Sequence, residues 1–469
     1  MDLSKIKKIY MIGIKGVGMT MLAEFLAHHG YQVSGSDTDE KFMTDKVLAK
    51  SGIEVFEGFS SEHVRNDVDV IIRSIAWNAS NNEEVAAAEK NNVPLITYGE
   101  ALSEVFNTHY GIAVCGSHGK TTTSAWLGYV MDRAGLKPNV MSGAAVPQFG
   151  GAGISGDSNL LVVEADEYQN KLQYLNPKMI LLNNIEYDHP DFFPSMKEYT
   201  QVFIDFISRL PKSGTLIANY DDAVLRDIAK RYGLGKTISY GMTEEADYQA
   251  SDVRYQNGKQ FFKVSIKRDE KAAVEEGETF DLGTFSISLS GKHNIYNALA
   301  VIAASLELGV ELLPLRQHLA EFGGTERRMQ LLGSFKGADI IDDYAHHPTE
   351  IKATLEAMKQ QYGDKKIRVV FHPHTFTRTK SLLKEFGQSF AQADEVIVLD
   401  IYGSAREEQG GISGQEVAEE IIQAGQKNTR YIPTLEAVEN YLRETANAGQ
   451  VILLVGAGDV FRIGERLIL

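Results

Sequence analysis

Residues 111–123 read Gly-Ile-Ala-Val-Cys-Gly-Ser-His-Gly-Lys-Thr-Thr-Thr, an apolar run that breaks at a glycine and ends in Lys-Thr. A strand over 112–114, a short loop and a helix opening over 117–124 form the strand–loop–helix unit of a parallel α/β sheet. Gly116 and Gly119 let the backbone turn tightly enough to aim successive N–H groups at phosphate oxygens, and the helix N-terminus adds its own positive pole. Lys120 supplies a point charge in reach of β- and γ-phosphates, and the Thr121 hydroxyl is placed for the magnesium ion that accompanies ATP. The glycine spacing is shorter than the usual Gly-x4-Gly-Lys-Thr. The stretch predicts a nucleotide triphosphate site whose loop is Gly116, Ser117, His118, Gly119, Lys120, Thr121 and Thr122.

Upstream, a strand over 7–12 runs into Gly13-Ile-Lys-Gly16-Val-Gly18, then a helix over 19–29 and a strand over 32–36 that ends at Asp37. This is a βαβ opening, but its glycines fall as Gly-x-x-Gly-x-Gly and not in the dinucleotide-binding order. Asp37 is placed to hold a ribose or sugar hydroxyl; glycines that only permit close strand–helix packing are the structural alternative. A buried strand over 68–74 and an alanine-rich helix over 81–91 complete a doubly wound unit. Downstream, strands over 160–164, 179–183 and 215–218 alternate with helices such as 196–208. Residues 247–290 alternate apolar and polar side chains, which predicts a small antiparallel patch with an exposed hairpin loop over 267–278. A helix over 292–308 precedes Gly323-Gly-Thr325, read as a hinge. Strands over 338–342, 368–371, 395–400 and 450–455 then alternate with helices over 348–361, 380–391 and 413–424. The expected architecture is α/β in three domains: 1–105, 106–324 and 325–469.

A chain of 469 residues is too long for one core. A net charge of −16 argues against nucleic acid or a membrane surface as partner, so the cations must be concentrated where anionic substrates bind. One cysteine, Cys115, excludes an internal disulfide and a thiolate metal site. The polar start over 1–8 carries no apolar leader, and no run has the length of a membrane span. The expected compartment is the cytoplasm.

Several carboxylates and histidines fall at predicted strand ends. Leu160-Leu-Val-Val-Glu164-Ala-Asp166-Glu167 puts acids at the edge where open α/β sheets collect ligands, and Glu164 is the candidate to complete a magnesium shell. His189, after the strand over 179–183, offers a nitrogen ligand or a proton-handling group. Asn294 and Asn297 share one helix face, and side-chain amides can read an adenine edge. Arg328, past the hinge, is placed to swing onto a polyphosphate. Asp342-Asp343-Tyr344-Ala-His346-His347-Pro348 and His372-Pro-His374-Thr375-Phe-Thr-Arg378 follow third-domain strands. Their histidines invite a zinc reading, but an amine or carboxylate substrate accounts for them without one; Arg378 suits a substrate carboxylate.

Taken in order, these motifs resemble the Mur ligase family of ATP-dependent amide ligases, over essentially the whole chain and most closely its alanine-adding branch. The resemblance implies an N-terminal Rossmann-like UDP-binding domain, a central P-loop ATPase domain with a mainly parallel sheet, and a C-terminal Rossmann-like domain. It implies a UDP-N-acetylmuramate site at Gly13, Gly16, Val17, Gly18, Met19, Asp37 and Ser74. Lys120 and Arg328 would bind phosphates, Thr121 and Glu164 one magnesium ion and His189 a second, Asn294 and Asn297 would face adenine, and Asp343 the ribose. Tyr344, His346, His374 and Arg378 would line an L-alanine pocket, with His346 or His374 as base. Lys120, Glu164, His189, Arg328 and His346 are thus the expected catalytic set. Thr375 stands where many relatives have arginine, Phe203 where other branches carry a modified lysine, and 77–84 lacks their Asn-Pro-Glu. The alternative within the family is a ligase that recycles a murein tripeptide onto the same sugar. A monomer or homodimer is expected.

Overall fold

Three sheets, each formed by a consecutive stretch of chain, organise the molecule in a computed structural model that describes residues 6–469 apart from 43, 66, 268–278, 364, 404–406 and 408. The first sheet has five parallel strands in the order Glu54–Glu57, Gln32–Asp37, Lys8–Ile12, Val70–Arg73 and Leu95–Thr97. Its central strand, Lys8–Ile12, is the one that runs into the first glycine loop, so that loop emerges at the point where strand order reverses.

The second sheet has ten strands. From one edge the order is Phe280–Ile287, Lys259–Ile266, Tyr248–Gln256, Lys236–Gly241, Thr215–Asn219, Met179–Leu182, Tyr110–Cys115, Leu160–Glu164, Asn139–Val146 and Gly151–Ile154. The phosphate-loop strand Tyr110–Cys115 lies between Met179–Leu182 and Leu160–Glu164, parallel to both. Val-, Ile- and Leu-rich runs covered on both faces by helices produce this arrangement. The three strands end side by side, so the Gly116 loop, Glu164 and the segment toward His189 share one sheet edge.

The antiparallel patch forms as expected, but it is continuous with the main sheet: Tyr248–Gln256 pairs in parallel with Lys236–Gly241 and then begins the antiparallel meander. Most of the loop expected over 267–278 lies outside the described residues. The strands Asn139–Val146 and Gly151–Ile154 have no counterpart in the sequence reading. Their Gly- and Ala-rich runs carry little apolar alternation, and pairing with Leu160–Glu164 holds them instead.

Two buried helices back the phosphate loop. In Lys120–Arg133 the run from Thr121 to Met131 is buried, and in Lys292–Glu307 the run from Asn297 to Ser305. Trp126, fully buried, donates from Nε1 to the Leu319 carbonyl at 3.1 Å and stacks on Phe322 with centroids 5.2 Å apart. This core fixes the start of the helix at Lys120.

The third sheet has six strands, all parallel but for the edge strand Gln330–Phe335. The helix expected over 380–391 is instead broken into Phe376–Ser381, Leu383–Gly387 and a 3₁₀ turn at Gln388–Phe390. Leu382 leaves helical geometry, at φ −114° and ψ 22°. The Phe376–Ser381 piece, which starts before the helix expected over 380–391, buries Arg378 and Thr379. The Gly323–Thr325 linker is tied to the central domain by Gly323 N donating to Gln148 Oε1 at 2.8 Å. Among the described residues no helix is long and apolar enough to cross a membrane.

Candidate active site

Gly119 caps the phosphate-loop helix in the left-handed region, at φ 80° and ψ −3°. A Cβ there would lie 2.6 Å from Asn297 Oδ1 and 3.0 Å from Asn183 Nδ2, so both backbone and space demand glycine. Upstream in the loop, Ser117 N and His118 N donate to Asn184 O and Oδ1 at 3.1 and 2.8 Å. Thr123 N bonds back to Gly119, which leaves the amides of Lys120, Thr121 and Thr122 without intrahelical acceptors, the condition for anion binding at a helix start. Gly119→Ala is expected to weaken binding of a non-hydrolysable ATP analogue by about tenfold, from strain of order 1–3 kcal/mol; calorimetry reads it, and unchanged affinity would detach the loop from phosphate.

Lys120 Nζ is turned back onto Gly116 O at 2.6 Å, Ser117 O at 3.2 Å and Glu167 Oε2 at 2.9 Å. Burial alone would lower its pKa, but Glu167, Asp166 and Glu164 hold it above its usual value, so it stays charged. Glu167 Oε1 accepts from Tyr199 OH at 3.0 Å and lies 3.8 Å from His189 Nε2. Asp166, Glu167 and His189 offer three ligand atoms within 4.8 Å of one another. Thr121 Oγ1 donates to Glu164 Oε1 at 3.0 Å, and Gly143 N, from the Gly/Ala-rich strand, to Glu164 Oε2. Burial pushes the Glu164 carboxyl up, against the pull of Lys120 and Thr121. A hydroxyl and a carboxylate held this close are the oxygen donors a hard divalent cation takes.

Two cavities meet at this pair. The first, about 560 Å³, is lined by His118, Gly119, Thr121 and Thr122 of the loop, by Asn294, Asn297, Arg328 and Asp343, and by the linker 323–325. The second, about 680 Å³, lies between the first and second domains and is lined by Gly16, Val17, Gly18, Met19 and Ser74 on one wall and Gly143, Glu164 and Asp166 on the other. Thr121 belongs to one cavity and Glu164 to the other, so their hydrogen bond is where the two adjoin.

Gly13 and Asp37 are not in either lining. A Cβ on Gly13 would meet Ser74 and Trp77 at 2.9 Å, and Asp37 Oδ2 accepts from Lys15 N at 2.7 Å, so both shape the loop from behind. Ser117 Oγ donates to Glu186 O at 2.7 Å. Asn294 Nδ2 donates to Ser290 O and Asn297 Nδ2 to Asn294 Oδ1, at 2.7 and 3.1 Å. Asp343 accepts from Met329 N and Ala345 N at 2.9 and 2.8 Å, and burial, partly offset by Arg328, raises it to about 6. The Arg328 guanidinium lies 5.1 Å from the Tyr344 ring centre.

Tyr344, His346, His374 and Arg378 form a separate group beside the first cavity. The His346 ring is 5.4 Å from Tyr344 and 6.4 Å from His374. Burial lowers His346 to about 3 and His374 to about 4, so both are neutral. Arg378 Nε donates to Asp188 Oδ1 at 2.9 Å, which joins this group to the residue before His189. Glu350, Asn184 and Gly143 carry no role in the sequence pattern, and Glu167 stands there only among the acids that end the strand over 160–164. Glu350 stands three residues after His347 at the start of an amphipathic helix, and the two form a capping box in which histidine takes the place usual for Ser or Thr.

Comparison with known proteins gives consistent matches along the chain. Residues 8–110 match the Mur ligase family catalytic domain, 114–305 the Mur ligase middle domain and 327–458 the Mur ligase glutamate ligase domain. A UDP-N-acetylmuramate–L-alanine ligase from Desulfitobacterium hafniense is 38% identical over 98% of this chain and 99% of its own. The crystal structure of a UDP-N-acetylmuramate–alanine ligase from Thermotoga maritima superposes with a TM-score of 0.79 at 26% identity, covering 98% of each chain. A murein peptide ligase from Psychrobacter arcticus, 24% identical over 98% of each chain, shares the fold with a TM-score of 0.71.

Proposed function

The chain belongs to the Mur ligase family, and on that footing we propose that it is an ATP-dependent ligase joining L-alanine to the lactyl carboxylate of UDP-N-acetylmuramate in peptidoglycan precursor synthesis. The observation that supports this reading most is the Thr121–Glu164 hydrogen bond. It puts the end of a nucleotide-sized cavity against the end of a second cavity built on the first glycine loop, as transfer of a terminal phosphoryl group between two anions requires. Relatives at 34–38% identity over nearly the whole chain carry the L-alanine ligase name, which favours the free amino acid over the tripeptide.

A carboxylate does not condense with an amine in water, because oxide is too poor a leaving group. In the proposed path the γ-phosphoryl group passes to a lactyl carboxylate oxygen and ADP leaves. The amine of L-alanine then attacks the acyl carbon, inorganic phosphate departs, and the ammonium proton is lost. Lys120 and Arg328 offset negative charge as the two anions approach. The L-alanine carboxylate pairs with Arg378, and the neutral His346 and His374 are the candidate proton acceptors. Asn294 and Asn297 are assigned to the adenine side and Asp343 to the ribose. Thr121 and Glu164 would hold one magnesium ion and His189, beside Asp166 and Glu167, a second; when bound, magnesium neutralises phosphate charge. The domains are placed at 1–105, 106–324 and 325–469, working in the cytoplasm as a monomer or homodimer.

The test is phosphate release by the full chain with ATP, UDP-N-acetylmuramate and a panel of amines. Release should depend strictly on both the sugar nucleotide and L-alanine. Glycine, lacking one methyl, should be poorer by about tenfold or more in kcat/KM. A murein tripeptide that outperforms L-alanine would replace this reading with the recycling one.

A further inference from the structure

His118 of the phosphate loop is held at both ring nitrogens by carboxylates from elsewhere in the chain. Nε2 lies 3.0 Å from Glu186 Oε2, in the segment after the strand Met179–Leu182. Nδ1 lies 3.1 Å from Glu350 Oε1, in the first turn of the third-domain helix Pro348–Tyr362. With an acceptor on each side, both nitrogens carry protons and the ring is an imidazolium. Burial alone would lower its pKa, but Glu350 and Glu186 raise it to about 10. Thr349 Oγ1 closes the ring of contacts by donating to Glu186 Oε1 at 2.5 Å.

Glu350 reaches in the other direction as well. Its Oε2 accepts from His346 N at 2.9 Å and His347 N at 3.2 Å, and lies 3.4 Å from His346 Nδ1. One carboxylate therefore joins the phosphate loop of the second domain to the Tyr344–His347 segment of the third.

His118, Glu186 and His347 also hold ligand atoms within 4.8 Å of one another, which suggests a cation site. The hydrogen bonding speaks against it. Both His118 nitrogens donate, and His347 Nδ1 accepts the Thr349 amide at 3.3 Å, which leaves the proton on Nε2. Neither imidazole presents a lone pair to a metal.

We propose that His118 and Glu350 form an interdomain latch that makes the phosphate loop depend on docking of the third domain, with Glu350 as a positioning residue between loop and amino-acid segment. The substrates of that coupling rest on the ligase reading above; the latch itself rests on the contacts. It gives the protein a way to align the nucleotide only when the domain carrying the amine is seated, which limits loss of an activated carboxylate to water.

The test uses His118→Gln, Glu350→Gln and the double variant of the full chain. The side-chain amide introduced by Glu350→Gln keeps an oxygen for the helix cap, so the fold is retained. Each single variant should lower kcat/KM for L-alanine by about tenfold to a hundredfold, the size of typical coupling effects. The L-alanine KM should rise more than the ATP KM, and the double variant should be no worse than the poorer single one. Losses that multiply in the double variant, or single variants at wild-type rates, would overturn the latch. A purely structural role would instead lower the unfolding temperature and move both KM values together, which also overturns it. Small-angle scattering of the substrate-free protein supplies an arm independent of ligation: the radius of gyration should be larger for the double variant than for wild type, and an equal one refutes the proposal. If the wild-type chain releases no phosphate with L-alanine, the ligase reading fails and scattering alone decides the latch.

Discussion

Lys120→Met is expected to reduce ligation by about 10³-fold or more, the scale seen when a charge-stabilising donor is taken from a phosphoryl-transfer or oxyanion site. Nothing else in the loop replaces it: the His118 imidazolium has both ring nitrogens taken up by Glu186 and Glu350, and the remaining neighbours offer backbone amides and hydroxyls, which are partial dipoles, whereas two approaching anions need a full charge. The same substitution also has a structural cost, because Lys120 is the cation paired with Glu167, whose side chain is 1% exposed. Breaking a buried pair by removing one partner typically costs about 3–5 kcal/mol, less where the stranded acid takes up a proton. The two effects separate in Lys120→Met/Glu167→Gln. With the carboxylate neutralised, thermal stability should return toward wild type while phosphate release stays low. Recovery of both would mean that Lys120 serves Glu167 and not the nucleotide, and near-wild-type turnover of the single variant would remove Lys120 from the phosphate site.

Much of this arrangement is legible in the sequence because its signals are local. The strand–loop–helix units at Gly13–Gly18 and Gly116–Lys120, and the acids and histidines that end strands, are each written within about ten consecutive residues. Sheet order then follows from parallel pairing and brings the tips together. What stayed unreadable is what those residues bond to. The partner of Lys120 is 47 positions away, that of Arg378 is 190 positions away, and the Glu350 that meets His118 is 232 positions away. No periodicity encodes such pairs. The Gly- and Ala-rich strand 139–146 has a related difficulty: its value lies in bringing Gly143 N to Glu164, and a backbone amide leaves no trace in residue type. Asn297 shows the reverse case, where the residue type was noticed and its neighbour was not. Its Oδ1 lies where a Cβ on Gly119 would fall, so it helps restrict that loop position to glycine in addition to whatever it offers a base.

Arg378→Ala should match the loss of Lys120 in its cost to stability and come second to it in its cost to activity. The guanidinium is the group assigned to the L-alanine carboxylate, and a lost bidentate, charge-assisted pair in a buried site is expected to lower kcat/KM for L-alanine by about 10²-fold or more. Arg378 also faces inward. Its Nε holds Asp188, both side chains are about 95% buried, and Arg378 keeps the Asp188 carboxyl well below its usual pKa although burial alone would raise it. Removing the arginine leaves that carboxylate buried and unpaired, with a further penalty of about 3–5 kcal/mol. The sign of the pH dependence follows from the depressed value. Stability from the pair is fully present above the ordinary carboxylate range and is lost as pH falls through the folded-state pKa of Asp188. The stability gap between Arg378→Ala and wild type should therefore be widest near neutrality and narrow in acid. Asp188→Asn isolates the two roles. If Arg378 acts only as the counter-ion of Asp188, Asp188→Asn/Arg378→Ala should recover both stability and L-alanine turnover. If it also binds substrate, stability recovers while the L-alanine KM stays high, and Arg378→Lys restores little because an ammonium cannot reproduce the planar fork.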